Sequence, residues 1–207
     1  MIDLSETANA ILHSDEMKAK ASKALNTAVP HVTFRFWNRF LENSRSILLL
    51  IQSGFINEAI AIQRLSIENF AYAVALLRGK LTEQQLTAEM DAELPAQAEK
   101  MRRNDERDPV LTPENRERLA AFLEDAANKS ITDPGINTYN ALDACGLGFF
   151  YTHYRQLSVR AAHATLLSAI SVGTEEEINK LLERTQDLLR ILDAVAVEVV
   201  RLQSAER

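Results

Sequence analysis

The stretch VTFRFWNRFLENSRSILLLIQSGFINEAIAIQRLSIENFAYAVALLRG, residues 32–79, decides the fold. Its first half carries Phe36, Trp37, Phe40, Ile47, Leu48 and Ile51 at helical spacing and stops at Gly54. Its second half runs from Ile56 to Arg78 with Ala59, Ile60, Leu65, Ile67, Phe70, Val74 and Leu77 on the same period, and stops at Gly79. Both glycines stand where a helix C-terminus favours a left-handed residue. So short a connection makes two long amphipathic helices pack antiparallel. A helical hairpin over about residues 32–78 is the expected core.

Outward from the hairpin, the rest of the chain reads the same way. Leu4, Ile11, Leu12 and Leu25 mark a first helix that ends before Pro30. Thr82 with Gln85 is a capping box opening a more polar helix, which Pro95 should end or kink and Asp108-Pro109 should finish. Thr112 followed by Pro113 launches another helix, to about Asn128. Ser130 to Gly135 is the clearest loop, and a short helix over Ile136 to Cys145 follows it. Phe149 to Val172 is helical by pattern and ends at Gly173. A second capping box, Thr174 with Glu177, opens a last helix to about Gln203. Its stripe is Ile178, Leu181, Leu182, Leu188, Leu189, Leu192, Val195 and Val199. The expected fold is all-α, a mostly up-and-down bundle of seven to eight helices. No repeat or composition break divides residues 1–207, so one domain is expected.

Composition agrees. Among 207 residues there are 28 alanines and 27 leucines, but only 6 glycines and 5 prolines, which disfavours sandwiches, dinucleotide fingerprints and flexible linkers. The net charge of −6 disfavours broad nucleic-acid or membrane surfaces. The single cysteine, Cys145, has no internal partner and suits a reducing compartment. The start, Met1 to Glu6, lacks the basic and apolar regions of a signal peptide. The longest uncharged run, Ala161 to Thr174, falls short of the roughly 18 residues a spanning helix needs. A cytoplasmic chain with no membrane partner is expected. The six basic and six acidic residues between Glu99 and Arg118 read as a solvated face with internal ion pairs.

Chemistry is sparse. His13, His31, His153 and His163 form no i, i+3 or i, i+4 pair, there is no second cysteine, and no phosphate loop or hydrolase elbow is present. No metal and no cofactor is expected. The acidic run Glu175-Glu176-Glu177 sits in a first helical turn, where it offsets the dipole. His31 and Arg35, four apart at the start of the Trp37 helix, read as surface residues.

One segment stands apart, from Tyr151 to Thr165. At about 100° per residue, with Arg155 at zero, Ser158 lies near −60°, Tyr151 near −40°, Ala162 near −20° and His163 near +80°. That face offers a guanidinium, a hydroxyl, a phenol and an imidazole at its margin. On the second hairpin helix, Arg64 and Glu68 stand four apart among apolar residues, where charges are expected to pair. Glu68 can pair with Arg64, or reach across to Arg155 or His163. Such a cluster is either an internal clasp fixing helix register or a site for a small anionic ligand.

Arg64-x-x-x-Glu68 in an apolar helix, followed by Tyr154-Arg155-x-Leu157-Ser158-x-x-Ala161-Ala162-His163-x-Thr165, resembles the bacterial all-helical family catalogued as domain of unknown function 5677. The resemblance spans roughly Trp37 to Val172. It implies a helical fold and marks Arg64, Glu68, Tyr154, Arg155, Ser158 and His163 as a shared ligand-binding site, without naming a chemistry. More distantly the chain is similar to HEPN helical domains, several of them metal-independent ribonucleases with an arginine and a histidine on one helix facing a dimer cleft. That similarity implies catalytic roles for His163, as acid or base at a ribose 2′-hydroxyl, and for Arg155, on the phosphate, in bacterial defence or a toxin–antitoxin system. The seven residues between Arg155 and His163 depart from that spacing.

The leading expectation is a binding or regulatory module with one polar site in the bundle. The alternatives are a HEPN-like ribonuclease and a purely structural dimerisation module. A small anionic ligand is the expected partner, and RNA is disfavoured by the net charge. Val195, Val197, Val199 and Val200 widen the last helix's stripe beyond one face, which calls for two neighbouring helices or a second subunit. A homodimer is favoured.

Overall fold

The computed structural model describes residues 3–129, 134–160 and 173–205. Eight helices and no strands are present among them: α1 Ser5–Ala24, α2 His31–Gln52, α3 Ile56–Leu77, α4 Glu83–Arg107, α5 Pro113–Ala127, α6 Thr138–Asp143, α7 Phe150–Arg160 and α8 Glu175–Ala205. The protein is an all-α helical bundle, as its alanine- and leucine-rich periodic segments require. No composition break marks a boundary, yet contacts gather into two compact units, Met1–Leu81 with Asn137–Arg207, and Thr82–Ile136.

The larger unit is built on the α2–α3 hairpin. Gly54 and Gly79 adopt left-handed backbone, with φ of 81° and 62°. Each lets the chain fold back, so that Phe55 N–H reaches the Leu50 carbonyl at 2.8 Å and Lys80 N–H the Ala75 carbonyl at 2.8 Å. Those bonds satisfy carbonyls that a helix end otherwise orphans. Trp37, Phe40, Leu41 and Ile47 of α2 and Ile67, Phe70 and Val74 of α3 are fully buried. A Phe40–Phe70–Phe150 chain, with centroids 6.0 Å apart at each step, joins α2, α3 and α7. Burying a phenylalanine contributes about 1.5–3 kcal/mol, so this chain anchors α7 on the hairpin. By length and composition α3 could cross a membrane, and most of that apolar window is buried inside the fold.

Polar contacts fix the direction of the remaining helices. Gln186 donates to Thr7 at 2.9 Å and Ser14 donates to Asp193 at 2.7 Å, so α1 and α8 run parallel. Thr185 donates to Gln63 at 3.0 Å and Arg78 to Glu198 at 3.2 Å, which sets α3 parallel to α8. Trp37 Nε1 donates to Ser14 at 3.1 Å, completing a Trp37–Ser14–Asp193 relay across three helices. Burial raises the Asp193 carboxyl above its ordinary value, against the Ser14 hydrogen bond and nearby His13. The capping box at α8 is formed: Glu177 N–H donates to Thr174 Oγ1 at 3.3 Å, and Thr174 N–H to the Glu177 carboxylate at 2.9 Å. Glu177 also receives Arg160 from the end of α7, and that guanidinium holds its carboxyl down at about 2. Of the four valines that widen the α8 stripe, Val195 is buried and Val197, Val199 and Val200 are half-buried.

The smaller unit is the α4–α5 pair. Its Thr82–Gln85 capping box and the Thr112 cap with Pro113 at the first helical position are both formed. Pro95 does not end α4, which continues to Arg107. Proline removes one backbone bond and disfavours helix at the residue before it, and good helix formers on either side carry α4 past it. The charged stretch pairs internally. Arg102 and Arg103 hold Glu99, Arg102 also meets Glu106, and Arg118 meets Glu114. Buried Asp105 accepts the Val110 and Leu111 amides at 2.8 and 2.7 Å and the Arg116 guanidinium, and so builds the α4–α5 turn.

Candidate functional site

Where α7 crosses α3 antiparallel, four side chains converge. Arg64 Nε donates to Ser158 Oγ at 2.9 Å, and Arg64 Nη2 donates to the Tyr154 hydroxyl at 2.8 Å. Arg64 Nη2 also lies 2.9 Å from Glu68 Oε1, one helical turn on. The Tyr154 hydroxyl donates to that same Glu68 oxygen at 2.8 Å. Ser158 Oγ donates back to the Tyr154 carbonyl at 3.0 Å. The Arg64 guanidinium carbon stands 5.0 Å from the centre of the Tyr154 ring, close enough for a cation–π contribution.

Helical spacing explains the convergence. Arg64 and Glu68, four apart, share a face of α3, and Tyr154 and Ser158, four apart, share a face of α7. Tyr154 is wedged further by Tyr151, stacked at 5.5 Å, which meets Tyr139 edge-on at 5.0 Å. Burial, then the hydrogen bond to Glu68 and its charge, push the Tyr154 phenol up, so it stays protonated and donates. The charges of Arg64 and Glu68 balance. Both side chains remain 26% exposed, and Arg64 Nη1 and Glu68 Oε2 take part in none of these bonds.

Four of the six residues singled out in the sequence therefore meet: Arg64, Glu68, Tyr154 and Ser158. Glu68 pairs with Arg64 rather than reaching to Arg155. Arg155 is exposed and stands outside the network, because the contacting face is centred between Tyr154 and Ser158, about 80° around the helix from it. It is three residues from Ser158, hence a neighbour on the α7 surface. His163, with Ala161, Ala162 and Thr165, lies outside the described residues.

One polar group on α7 escaped the sequence reading. His153 Nε2 is buried and has no hydrogen-bond partner among the described residues. Burial and the nearby Arg184 charge lower its pKa, which keeps the ring neutral. Nothing in the pattern around a lone histidine distinguishes it from a surface one. Among the described residues no group of three or more histidine, cysteine, aspartate or glutamate side chains is placed to hold a metal.

The comparison with protein families identifies the class to which this helical bundle belongs. Residues 31–180 match the model of a family of unknown function (DUF5677). The match covers most of the chain, and the protein belongs to that family. No curated protein and no solved structure matches it.

Proposed function

We propose that the protein is a binding module and that the α3–α7 cluster takes a small anionic ligand. The observation that carries this reading is the Arg64 guanidinium, oriented by three side chains from two helices while still 26% exposed. An arginine fixed in advance loses less freedom on binding than a mobile one. Glu68 neutralises Arg64, so the anion needs a second cation, and exposed Arg155, three residues from Ser158 on α7, is the candidate. In this reading Arg64 Nη1 donates to one ligand oxygen and Arg155 supplies the compensating charge. A clasp with structural duty alone would use the same bonds; solvent access to both charged groups favours a ligand.

The test is a thermal-shift screen with acetate, succinate, benzoate and inorganic phosphate, followed by calorimetry on any anion that stabilises the protein. Arg155→Ala should fold normally and bind about tenfold or more weakly, as expected for losing a charged contact. Arg64→Lys should also weaken binding, since an ammonium cannot reproduce the fork. Binding untouched by both substitutions would refute the site. Metal-independent RNA cleavage by the wild-type protein, lost in Arg155→Ala and His163→Ala, would replace it with the ribonuclease reading.

A further inference from the structure

A second cluster lies on the outer face of α1 and α2. Lys18, His31, Phe34, Arg35 and Arg39, with Asn38 and Glu42, line a concavity of about 650 Å³. His31, Arg35 and Arg39 follow one another at four-residue intervals on α2, a rise of about 6 Å per step. Lys18 joins them from α1, held by Asp15 at 2.8 Å and by Asn38 Oδ1 at 2.8 Å. Asn38 is itself held, donating to Glu42 at 2.8 Å, and Glu42 receives Arg39 at 3.1 Å. The wall is thus braced, while His31 and Arg35 are exposed and form no ion pair among the described residues.

The charge balance is the informative part. In a chain of net charge −6, three permanent cations converge on one concavity whose only acidic lining side chain, among the described residues, is Glu42. Asp15, just outside, is shared between Lys18 and Arg45. The first turn of α2 holds no acidic residue, and a helix N-terminus favours negative charge. Arg35 is exposed with no ion pair among the described residues, so a ligand that is itself multiply negative would meet an uncommitted cation there.

We propose that Lys18, His31, Arg35 and Arg39 form a second site, for a small molecule carrying two or more phosphate groups. The concavity is shallow and open to solvent, with room for a charged ligand lying on the surface, and the negative chain as a whole repels a long polyanion. Arg35 and Arg39 stand one turn apart on α2 and Lys18 lines the same concavity from α1, so a phosphate chain would meet the free Arg35 first and compete with Glu42 and Asp15 for the other two. Phe34, also lining the concavity, is the one aromatic side chain there that a base attached to that chain could meet.

Calorimetric titration of the full chain with inorganic tripolyphosphate, ATP, sulfate and a short single-stranded RNA tests this. Tripolyphosphate and ATP should bind at one site, sulfate far more weakly. Arg35→Ala and Arg39→Ala should each weaken both ligands by about ten- to a hundredfold, as for other charge-assisted contacts. Phe34→Leu should remove any preference for ATP over tripolyphosphate. Arg64→Lys should change neither, which separates failure of this site from failure of the α3–α7 site. Arg35→Gln serves as the second variant should Arg35→Ala fold poorly. No binding of either polyphosphate, equal binding of sulfate, binding unchanged in the Arg35 and Arg39 variants, or binding of RNA alone would each overturn the proposal.

Discussion

Replacing Arg64 by methionine keeps most of its apolar stem and removes the charge, so the cost reads out the cluster. Glu68 would be left with the Tyr154 hydroxyl alone, Ser158 would lose its incoming donor, and the Tyr154 ring its cation. Breaking a fully buried pair costs about 3–5 kcal/mol, and an exposed pair contributes about 0–1 kcal/mol. With both side chains a quarter exposed, the expected loss lies between, at about 2 kcal/mol. Adding Glu68→Gln removes the stranded carboxylate. The double variant should therefore be about 1 kcal/mol more stable than the two single losses add up to. Urea unfolding followed by the fluorescence of Trp37, the single and fully buried tryptophan, reports on the unit that holds the cluster. The exposed Glu176→Ala serves as the control, expected within about 0.5 kcal/mol. A loss for Arg64→Met no larger than the control, or strict additivity in the double variant, would refute the reasoning.

Three further outcomes are expected. Gly173→Ala should destabilise by about 1–3 kcal/mol, because its Cβ would sit 2.4 Å from the Ile56 side chain; unfolding midpoints equal to wild type would contradict that close approach. Asp193→Asn should match or exceed wild-type stability at neutral pH: burial raises the folded carboxyl above 3.8, so ionisation costs stability, and any gap over wild type should close as pH falls through the raised pKa. Glu177→Gln should lose stability at neutral pH and lose no more in acid, since the wild-type contribution is present above the unfolded value of 4.5 and fades as pH falls toward about 2; parallel acid-unfolding curves for the two proteins would contradict it.

The helices were legible because punctuation and periodicity agree. Gly54, Gly79, Thr82, Thr112 and Thr174 all stand at the helix ends expected of them, and the hairpin matches to within a residue at each end. Of the two outcomes expected at Pro95, an end is not observed, because a breaker's local penalty can be outweighed by the helix around it, and α4 closes at Asp108 as the Asp108-Pro109 pair requires. The division at Leu81 and Ile136 was not drawn from the sequence, because the more polar α4 and the charged stretch after it read equally well as a solvated face of one bundle. In the site, i, i+4 spacing paired Arg64 with Glu68, while the α7 side chains that contact α3 centre between Tyr154 and Ser158 rather than on Arg155. Which edge of a helix meets its neighbour depends on how Phe150 and Leu157 bury, and a single helix's pattern leaves that rotation open. The relay from Trp37 through Ser14 to Asp193 joins helices far apart in the chain, and no local signal marks it.

The most direct test of the α3–α7 site follows the Arg64 Nε–H resonance by ¹⁵N–¹H spectroscopy, assigned by its loss in Arg64→Lys. That proton is held on Ser158, beside the position assigned to the ligand. Titration with the small anion that gives the largest thermal shift should move the resonance saturably in the wild type, and only weakly in Arg155→Ala. A resonance that stays in place while the anion binds, or moves equally in Arg155→Ala, would contradict a ligand at Arg64.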